Sequence, residues 1–317
     1  SSDLGLGRWT VSAGCLASLG IAYRRVGQGP RHVLLLHALT GGPDAADGPT
    51  TKGWWGPLFH PGGALDETGC TTWCPNLPWS CYGTAWPKES RPSVRAQASL
   101  LADWLEAEDL SFDLLLGGSL GGMVALELAL IAPQRFRTLG VIGCGGRADA
   151  WLWGANAVQR AILDNRCLTD GDAIALARRA AMLTFRTPEG LGQRFATGEA
   201  IRGWLDHHGA ALAARFTRRS YRALLEAMDG HDLGRERGGL ESALQRLEAP
   251  LHLLGMRPDQ LFSPASVEEL GSAARAAGRL GSLAWLDGPH GHDAFLIDLP
   301  ALQRWVARVL EAPCARS

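Results

Sequence analysis

The chain has 317 residues, of which 46% are hydrophobic and 20% are charged, and its formal net charge is −1 at pH 7. This is the composition of a folded globular protein, and it excludes the basic surface typical of proteins that bind nucleic acid or anionic membranes. No window approaches the length of about 18 uncharged apolar residues that a membrane span needs, and the first residues lack the pattern of a signal peptide. The seven cysteines are scattered, which indicates neither a disulfide framework nor a zinc site and favours reduced thiols in the cytoplasm.

Short, continuously apolar runs recur along the chain and are typical of parallel strands that are covered on both faces. They predict strands at 32–36, 72–74, 113–116, 138–142, 251–254 and 283–286. Helical patterns between and after them predict helices at 95–105, 123–132 and 299–310. The alternation of strands and helices predicts an α/β fold with a mostly parallel central sheet flanked by helices.

The stretch from 151 to 248 differs from the rest because it contains helical segments and no convincing strand. The predicted helices are 172–183, 200–216, 220–228 and 240–248. We interpret this stretch as an all-helical lid, inserted into a core formed by residues 1–150 and 249–317. Ligands of open α/β sheets bind at the carboxyl edge, so a lid placed there would form the substrate pocket and exclude water.

The segment Gly117-Gly118-Ser119-Leu120-Gly121 has the pattern G-x-S-x-G. So short a pattern also occurs by chance in a chain with 40 glycines. Here, however, a predicted strand precedes it and a helical pattern follows, which is the setting of the nucleophile elbow in the α/β-hydrolase fold. Such an elbow presents the serine hydroxyl at the N-terminus of a helix, where the partial positive charge favours a developing anion. The alternative is a glycine-rich turn of a nucleotide-binding fold.

A serine nucleophile needs a base, and the base needs a carboxylate that orients it. In this fold the three residues follow the chain order Ser, Asp, His. Asp259 follows the strand predicted at 251–254, and His292 follows the strand predicted at 283–286. His290 lies in the same loop, and spacing alone does not choose between the two histidines. The sequence shows no motif for a metal or a prosthetic group.

Acyl transfer also requires N–H donors for the oxyanion of the tetrahedral intermediate. The backbone N–H of Leu120, directly after the nucleophile, is the first predicted donor. The second is predicted in the loop 37–42 that follows the first apolar run, at Leu39. His37 begins this loop, and we expect it to make structural hydrogen bonds there.

Longer stretches of the chain resemble the homoserine O-acetyltransferase family. They follow the family's order from about Ile21 to Asp298 and are HALTGG (37–42), GWW (53–55), ALD (64–66), SCYGT (80–84), GGSLGGM (117–123), NAVQRAI (156–162), AMLTFRTPE (181–189), RRSYRALLEAMDGHDLGR (218–235), DQLF (259–262) and PHGHDAFLID (289–298). The resemblance implies ping-pong transfer of an acetyl group from acetyl-CoA to L-homoserine through an acyl-serine, in methionine biosynthesis. Acetyl-CoA is then a co-substrate, and no cofactor is bound permanently.

The resemblance also implies roles for particular residues. His292, in the sequence G-H-D, is the family's base. Arg186 matches the residue that receives the acceptor's carboxylate, and Asp293 matches the residue that receives its ammonium. A homodimer formed through the lid helices is a further implication. Three lid residues in similar segments are expected to be structural: Asn156, Gln159 and Tyr221.

The chain departs from the family pattern at several positions, among them Leu120, Phe59-His60 and Pro78-Trp79, and the specificity is open. Leu120 stands where the family usually has Met, a volume-conserving change at a position whose role is carried by the backbone. Pro78-Trp79 stands where Leu-Gly or a similar pair is usual, and Trp79 would alter the specificity if it reached the pocket mouth. The alternatives are an O-succinyltransferase that uses succinyl-CoA, a serine O-acyltransferase, an esterase with the same triad, or a catalytically inactive scaffold.

Overall fold

The computed structural model describes residues 6–13, 16–49, 51–87 and 91–312. Eight strands form one sheet, and they are β1 (Leu6–Ala13), β2 (Leu16–Val26), β3 (Arg31–Leu36), β4 (Cys70–Pro75), β5 (Phe112–Gly118), β6 (Phe136–Ile142), β7 (Leu251–Met256) and β8 (Leu280–Leu286). Their order across the sheet is β1-β2-β4-β3-β5-β6-β7-β8. β2 pairs antiparallel with both β1 and β4, and all the other neighbouring pairs are parallel. The prediction of a mostly parallel sheet is therefore confirmed.

The six predicted strands correspond to β3 through β8, each longer than predicted by one to three residues in total. β1 and β2 were not predicted. They lie at the antiparallel edge of the sheet, and β2 places Tyr23, Arg24 and Arg25 in succession near its end. Because such a strand has no continuous apolar run, the pattern that revealed the buried parallel strands does not detect it.

Both faces of the central strands, β3 to β7, are largely buried, which explains their continuous apolar runs. Along β3, Leu34 and Leu36 belong to the hydrophobic core on one face, whereas Val33 and Leu35 belong to the core on the other. Successive side chains of a strand point to opposite faces. Each face therefore needs its own layer of helices.

Twelve α-helices are present in the described residues. They are α1 (Gly56–Phe59), α2 (Val94–Ala107), α3 (Leu120–Ile131), α4 (Ala150–Leu163), α5 (Asp170–Phe185), α6 (Pro188–Arg194), α7 (Gly198–Ala213), α8 (Arg218–Asp229), α9 (Leu240–Leu244), α10 (Pro264–Ala276), α11 (Ala294–Ile297) and α12 (Leu299–Glu311). Helices α2, α3 and α10 contribute buried residues to the core on one face, and α1 and α12 contribute to the core on the other. None of the described helices has the length and apolarity that crossing a bilayer requires.

Every named element between β6 and β7 is a helix, namely α4 through α9. The fold class, including the helical lid, is confirmed, while the division into a core of residues 1–150 and 249–317 and a lid of residues 151–248 stays a prediction. Of these helices, α4 and α6 were not predicted. The helix predicted at 240–248 ends at Leu244, because the backbone continues in tighter turns with bonds to the third preceding residue and then reaches Pro250, which cannot donate a helical hydrogen bond.

Candidate active site

The nucleophile elbow lies between β5 and α3. Ser119 has φ 56° and ψ −124°, a strained backbone conformation for a residue with a side chain, and its N–H donates to Ile142 O at 2.8 Å. A Cβ on Gly117 would lie 2.2 Å from Gly121 O, and one on Gly121 would lie 2.2 Å from Leu36 O. The two motif glycines are therefore needed because neighbouring backbone passes too close for any side chain.

A continuous chain of hydrogen bonds joins the three predicted catalytic residues. His292 Nε2 lies 2.9 Å from Ser119 Oγ, and His292 Nδ1 lies 2.7 Å from Asp259 Oδ2. The other carboxylate oxygen of Asp259 accepts the N–H groups of Leu261 and Phe262 at 2.8 and 3.0 Å. The carboxylate is thus fixed by its own loop, and the imidazole is held with one nitrogen facing the nucleophile. This geometry is that of a general base that activates a serine.

The imidazole of His292 is buried among the rings of Phe185, Phe262 and Phe295, whose centroids lie 5.9, 5.4 and 5.6 Å away. Burial alone disfavours the protonated form. The charge of Asp259, its hydrogen bond, and the charge of Asp293 outweigh that effect and raise the pKa of His292. A raised pKa makes the imidazole a stronger base towards the serine proton.

The two predicted oxyanion donors are buried at the carboxyl edge of the sheet. Leu120 is the first residue of α3, and Leu39 lies in the loop after β3. Neither backbone N–H has an acceptor among the residues that the structure describes. An unpaired buried N–H is rare and costly. Two such groups, at Leu39 and Leu120, are the free donors that a site for a transient oxyanion requires.

His37 makes the structural hydrogen bonds that were expected of it. Its Nδ1–H donates to Ala38 O at 2.8 Å, and its Nε2 accepts the N–H of Leu77 at 3.0 Å. Burial lowers the pKa of His37 to about 4. The ring is therefore neutral at physiological pH, and its two bonds fix the tautomer.

A cavity of about 420 Å³ opens over the elbow. Its wall includes Gly118 beside the nucleophile and Ala38 beside Leu39. The lid contributes Arg178 and Arg215 to the same wall. The cavity therefore lies between the carboxyl edge of the sheet and the lid, and its use as the substrate pocket stays a prediction.

The structure brings Arg186 and Asp293 together with each other. Arg186 Nε donates to Asp293 Oδ2 at 2.8 Å, and both side chains are largely buried. Asp293 directly follows His292, and its second carboxylate oxygen has no donor within the described part of the chain. Arg186 lines a separate, smaller cavity of about 300 Å³.

Arg178 was not singled out from the sequence. It lies on the cavity wall, and within the described ranges its guanidinium makes no salt bridge; it lies 5.1 Å from the centre of the Phe185 ring and feels the charge of Asp293 at longer range. Burial lowers the pKa of Arg178, although a guanidinium stays charged in a protein. A sequence signal existed, since Ile174 and Ala181, the residues four before and three after Arg178 in α5, belong to a buried apolar stripe. A lone cation on such a stripe is unusual.

Trp79, at the departure from the family pattern, is fully buried in the core and does not form part of the wall of the cavity over the elbow. The three lid residues expected to be structural hold lid helices together. Tyr221 donates to Gln159 at 2.7 Å, and Asn156 donates to Asp229 at 2.7 Å. Within the described ranges, no three potential metal ligands lie together.

A serine in a strained elbow, bonded to a histidine–aspartate pair at the carboxyl edge of a mostly parallel sheet, defines a serine-dependent enzyme of the α/β-hydrolase fold. The model of the alpha/beta hydrolase fold family matches residues 31–298. Curated homoserine O-acetyltransferases extend the match to most of the chain. The enzyme from Nostoc punctiforme is 35% identical over an alignment of 329 positions, which covers 90% of this chain and 89% of that protein. The enzyme from Thermus thermophilus is 36% identical over an alignment of 335 positions, which covers 92% of this chain and 86% of that protein. The chain belongs to the homoserine O-acetyltransferase family.

Solved structures show the same fold. The homoserine O-acetyltransferase from Staphylococcus aureus has a TM-score of 0.81 at 22% identity, with 98% of this chain and 95% of that chain covered. Esterase E22 also has a TM-score of 0.81, at 16% identity and with coverages of 96% and 97%. Because an acetyltransferase and an esterase superpose equally well, the backbone does not distinguish transfer to an alcohol from transfer to water.

Proposed function

We propose that the protein transfers the acetyl group of acetyl-CoA to the hydroxyl of L-homoserine, giving O-acetyl-L-homoserine and CoA. The observation that carries the proposal is the assembled chain of Ser119, His292 and Asp259 beneath a lid-covered cavity. The homoserine O-acetyltransferases that the chain matches over about nine-tenths of its length support the substrate pair. Such a reaction belongs to methionine biosynthesis and uses a cytoplasmic co-substrate, so we place the protein in the cytoplasm.

In the first half-reaction, Ser119 Oγ attacks the thioester carbon while His292 Nε2 takes the hydroxyl proton. The N–H groups of Leu39 and Leu120 donate hydrogen bonds to the oxyanion of the tetrahedral intermediate. When the carbon–sulfur bond breaks, the imidazolium returns the proton to the departing sulfur. The products of this step are free CoA and an acetyl ester on Ser119. Removal of one oxyanion donor typically costs about 10²–10³ in kcat.

In the second half-reaction, the hydroxyl of homoserine attacks the ester carbon and His292 accepts its proton. The same two N–H groups donate hydrogen bonds to the oxyanion of the second tetrahedral intermediate. Ser119 then leaves with the proton from the imidazolium, and the O-acetylated amino acid is released. Two successive reactions at one site, each using the same base, predict ping-pong kinetics.

The acceptor is a zwitterion and needs a partner for each charge. We propose that Asp293 receives the ammonium through the carboxylate oxygen that Arg186 leaves free. For the carboxylate, Arg186 is the residue that the family resemblance implies, yet its Nε is engaged by Asp293. Arg178 is charged, lies on the cavity wall and makes no salt bridge among the described residues, so we propose that Arg178 binds the carboxylate directly and Arg186 holds Asp293.

The comparison of Arg178→Gln with Arg186→Gln tests this assignment. A hydrogen bond to a charged group contributes about 1.5–3 kcal/mol, so Arg178→Gln should raise the KM for L-homoserine roughly 10- to 100-fold while the KM for acetyl-CoA changes little. A larger rise in the homoserine KM with Arg186→Gln would instead give the carboxylate to Arg186. Equal rises in both KM values would remove Arg178 from the acceptor site.

A free thiol assay tests the reaction as a whole. Acetyl-CoA and succinyl-CoA are each supplied with L-homoserine, with L-serine or with no amino acid, and the release of CoA is followed. The proposal expects rapid release with acetyl-CoA and homoserine, and slow release without an amino acid, because the three phenylalanine rings around His292 limit the access of water. Rapid release without any amino acid would identify an esterase or thioesterase.

We also propose that the protein is a homodimer through its lid. Two exposed apolar side chains lie seven residues apart on each of α4 and α5, and seven residues are close to two helical turns. They are Trp151, Val158, Leu176 and Leu183, which are 41–57% exposed. Light scattering coupled to size exclusion should give a dimer for the parent and a monomer for Trp151→Glu/Val158→Glu; a parent that elutes as a monomer at all concentrations would contradict the proposal.

A further inference from the structure

The loop 37–42 carries the proposed second oxyanion donor, and we call it the oxyanion loop. His37, its first residue, restrains it through a hydrogen bond to Ala38 O. The carbonyl of Ala38 and the N–H of Leu39 belong to the same trans peptide unit, so they point in opposite directions. Because His37 Nδ1–H and the N–H of Gly41 both donate to Ala38 O, at 2.8 and 2.9 Å, the direction of the Leu39 N–H is constrained from the carbonyl side.

A second hold on the loop comes from the lid. Arg215 lies in the connection between α7 and α8, and its Nη1 donates to Thr40 O at 2.8 Å. The same guanidinium donates to the hydroxyl of Tyr82 and lies 6.0 Å from the centre of that ring. Among the described residues, Arg215 has no carboxylate partner. Its hydrogen bonds therefore go to the oxyanion loop and to one wall of the cavity.

We propose that Arg215 is a positioning residue through which the lid fixes the oxyanion loop, so that the second oxyanion donor is in place only while the lid is seated. The inference rests on the proposed function in one respect, the role of the Leu39 N–H as an oxyanion donor. Thr40 directly follows Leu39, so the hydrogen bond from Arg215 to Thr40 O restrains the loop on the C-terminal side of Leu39. The hydrogen bond from His37 to Ala38 O restrains it on the N-terminal side. With both hydrogen bonds in place, the peptide between Ala38 and Leu39 has little freedom to rotate.

This role predicts a specific kinetic signature. Both half-reactions form an oxyanion, so weakening the loop slows acylation by every acyl donor and leaves substrate binding largely unchanged. A residue that bound the nucleotide part of CoA would behave differently. Its loss would raise the KM for acetyl-CoA and would not affect a donor without a nucleotide.

The experiment compares Arg215→Ala and Arg215→Lys with Arg219→Ala. Arg219 is a matched control because it is another lid arginine, four residues further along the chain in α8. Its guanidinium carbon lies 3.7 Å from the centre of the Trp86 ring, and it makes no hydrogen bond to the oxyanion loop. Each variant is assayed with acetyl-CoA plus L-homoserine and with p-nitrophenyl acetate. The second donor requires the nucleophile and the oxyanion donors but neither CoA nor homoserine. Thermal unfolding establishes that each variant is folded.

Arg215→Ala should lower kcat about 5- to 100-fold with both donors, less than the roughly 10²–10³ seen when a donor is removed outright. Arg215→Lys, which keeps one N–H donor and the charge, should recover part of the loss, and Arg219→Ala should stay within about twofold of the parent. A loss confined to the KM for acetyl-CoA would overturn the proposal, as would an equal loss in Arg219→Ala. If homoserine proves not to be the acceptor, the p-nitrophenyl acetate result still decides the role of Arg215.

Discussion

Replacing Asp259 by asparagine separates the catalytic role of this carboxylate from its structural role. Asp259 Oδ1 accepts two backbone N–H groups of its own loop, and Oδ2 faces His292 Nδ1 at 2.7 Å. An asparagine keeps an oxygen for the loop and turns its NH₂ towards the imidazole. The imidazole then has to accept at Nδ1 and carry its proton on Nε2, so that it cannot take the proton of Ser119.

The magnitudes follow from these contacts. The wrong tautomer costs about 10⁴ in kcat in a serine protease triad, and a similar loss is expected here. Stability should change little in Asp259→Asn because the loop keeps its acceptor. Asp259→Ala leaves two buried N–H groups without an acceptor, at about 1–3 kcal/mol each, so it should lose roughly 2–6 kcal/mol of unfolding free energy as well as activity.

The assay measures p-nitrophenyl acetate turnover and urea-induced unfolding for both variants. Asp259→Asn should be nearly inactive and close to the parent in its unfolding midpoint, whereas Asp259→Ala should be impaired in both. If Asp259→Asn kept activity within about tenfold of the parent, orientation of the base by Asp259 could not be the source of its catalytic effect. Equal stability losses in the two variants would refute the role of the loop contacts.

Three further predictions concern the elbow and the base. Ser119→Ala and His292→Ala should each abolish acyl transfer, and the double variant should be scarcely worse than either single variant because the residues act as a unit; additive losses measured with acetyl-CoA would contradict this. Asp293→Asn removes a negative charge that raises the pKa of His292, so the acidic limb of kcat/KM for p-nitrophenyl acetate should move to lower pH, since the neutral imidazole is the active form; a limb that stays in place would argue against the coupling. Gly121→Ala places a Cβ 2.2 Å from a backbone oxygen and should lower the unfolding free energy by about 1–3 kcal/mol. Gly203→Ala is its control, because a Cβ there meets nothing within 4 Å and α7 should gain about 0.5–1 kcal/mol; equal melting temperatures for the two variants would exclude close packing as the reason for the elbow glycine.

The sequence alone determined the central features of this protein because they depend on local patterns. A strand buried on both faces must be apolar along most of its length, so β3 through β7 could be found without coordinates, and the edge strand β8, which is mostly half-buried, was found from its short apolar run at 283–286. The glycines around Ser119 follow from the same local logic, since a sharp strand-to-helix turn leaves no room for side chains. The chain order of nucleophile, acid and base is a property of the fold, which is why Asp259 and the loop that holds His290 and His292 could be selected from their positions after strands.

Only the tertiary structure decided which groups meet. Spacing within the loop left His290 and His292 equal, and the choice implied by the family resemblance agrees with a hydrogen bond that spans 173 positions in the chain. The ion pair between Arg186 and Asp293 joins residues 107 positions apart, and the position of Arg178 on the cavity wall depends on how α5 packs against α4, α7 and α8. Such contacts depend on the relative placement of whole helices and strands, and a pattern of neighbouring residues carries no record of that placement.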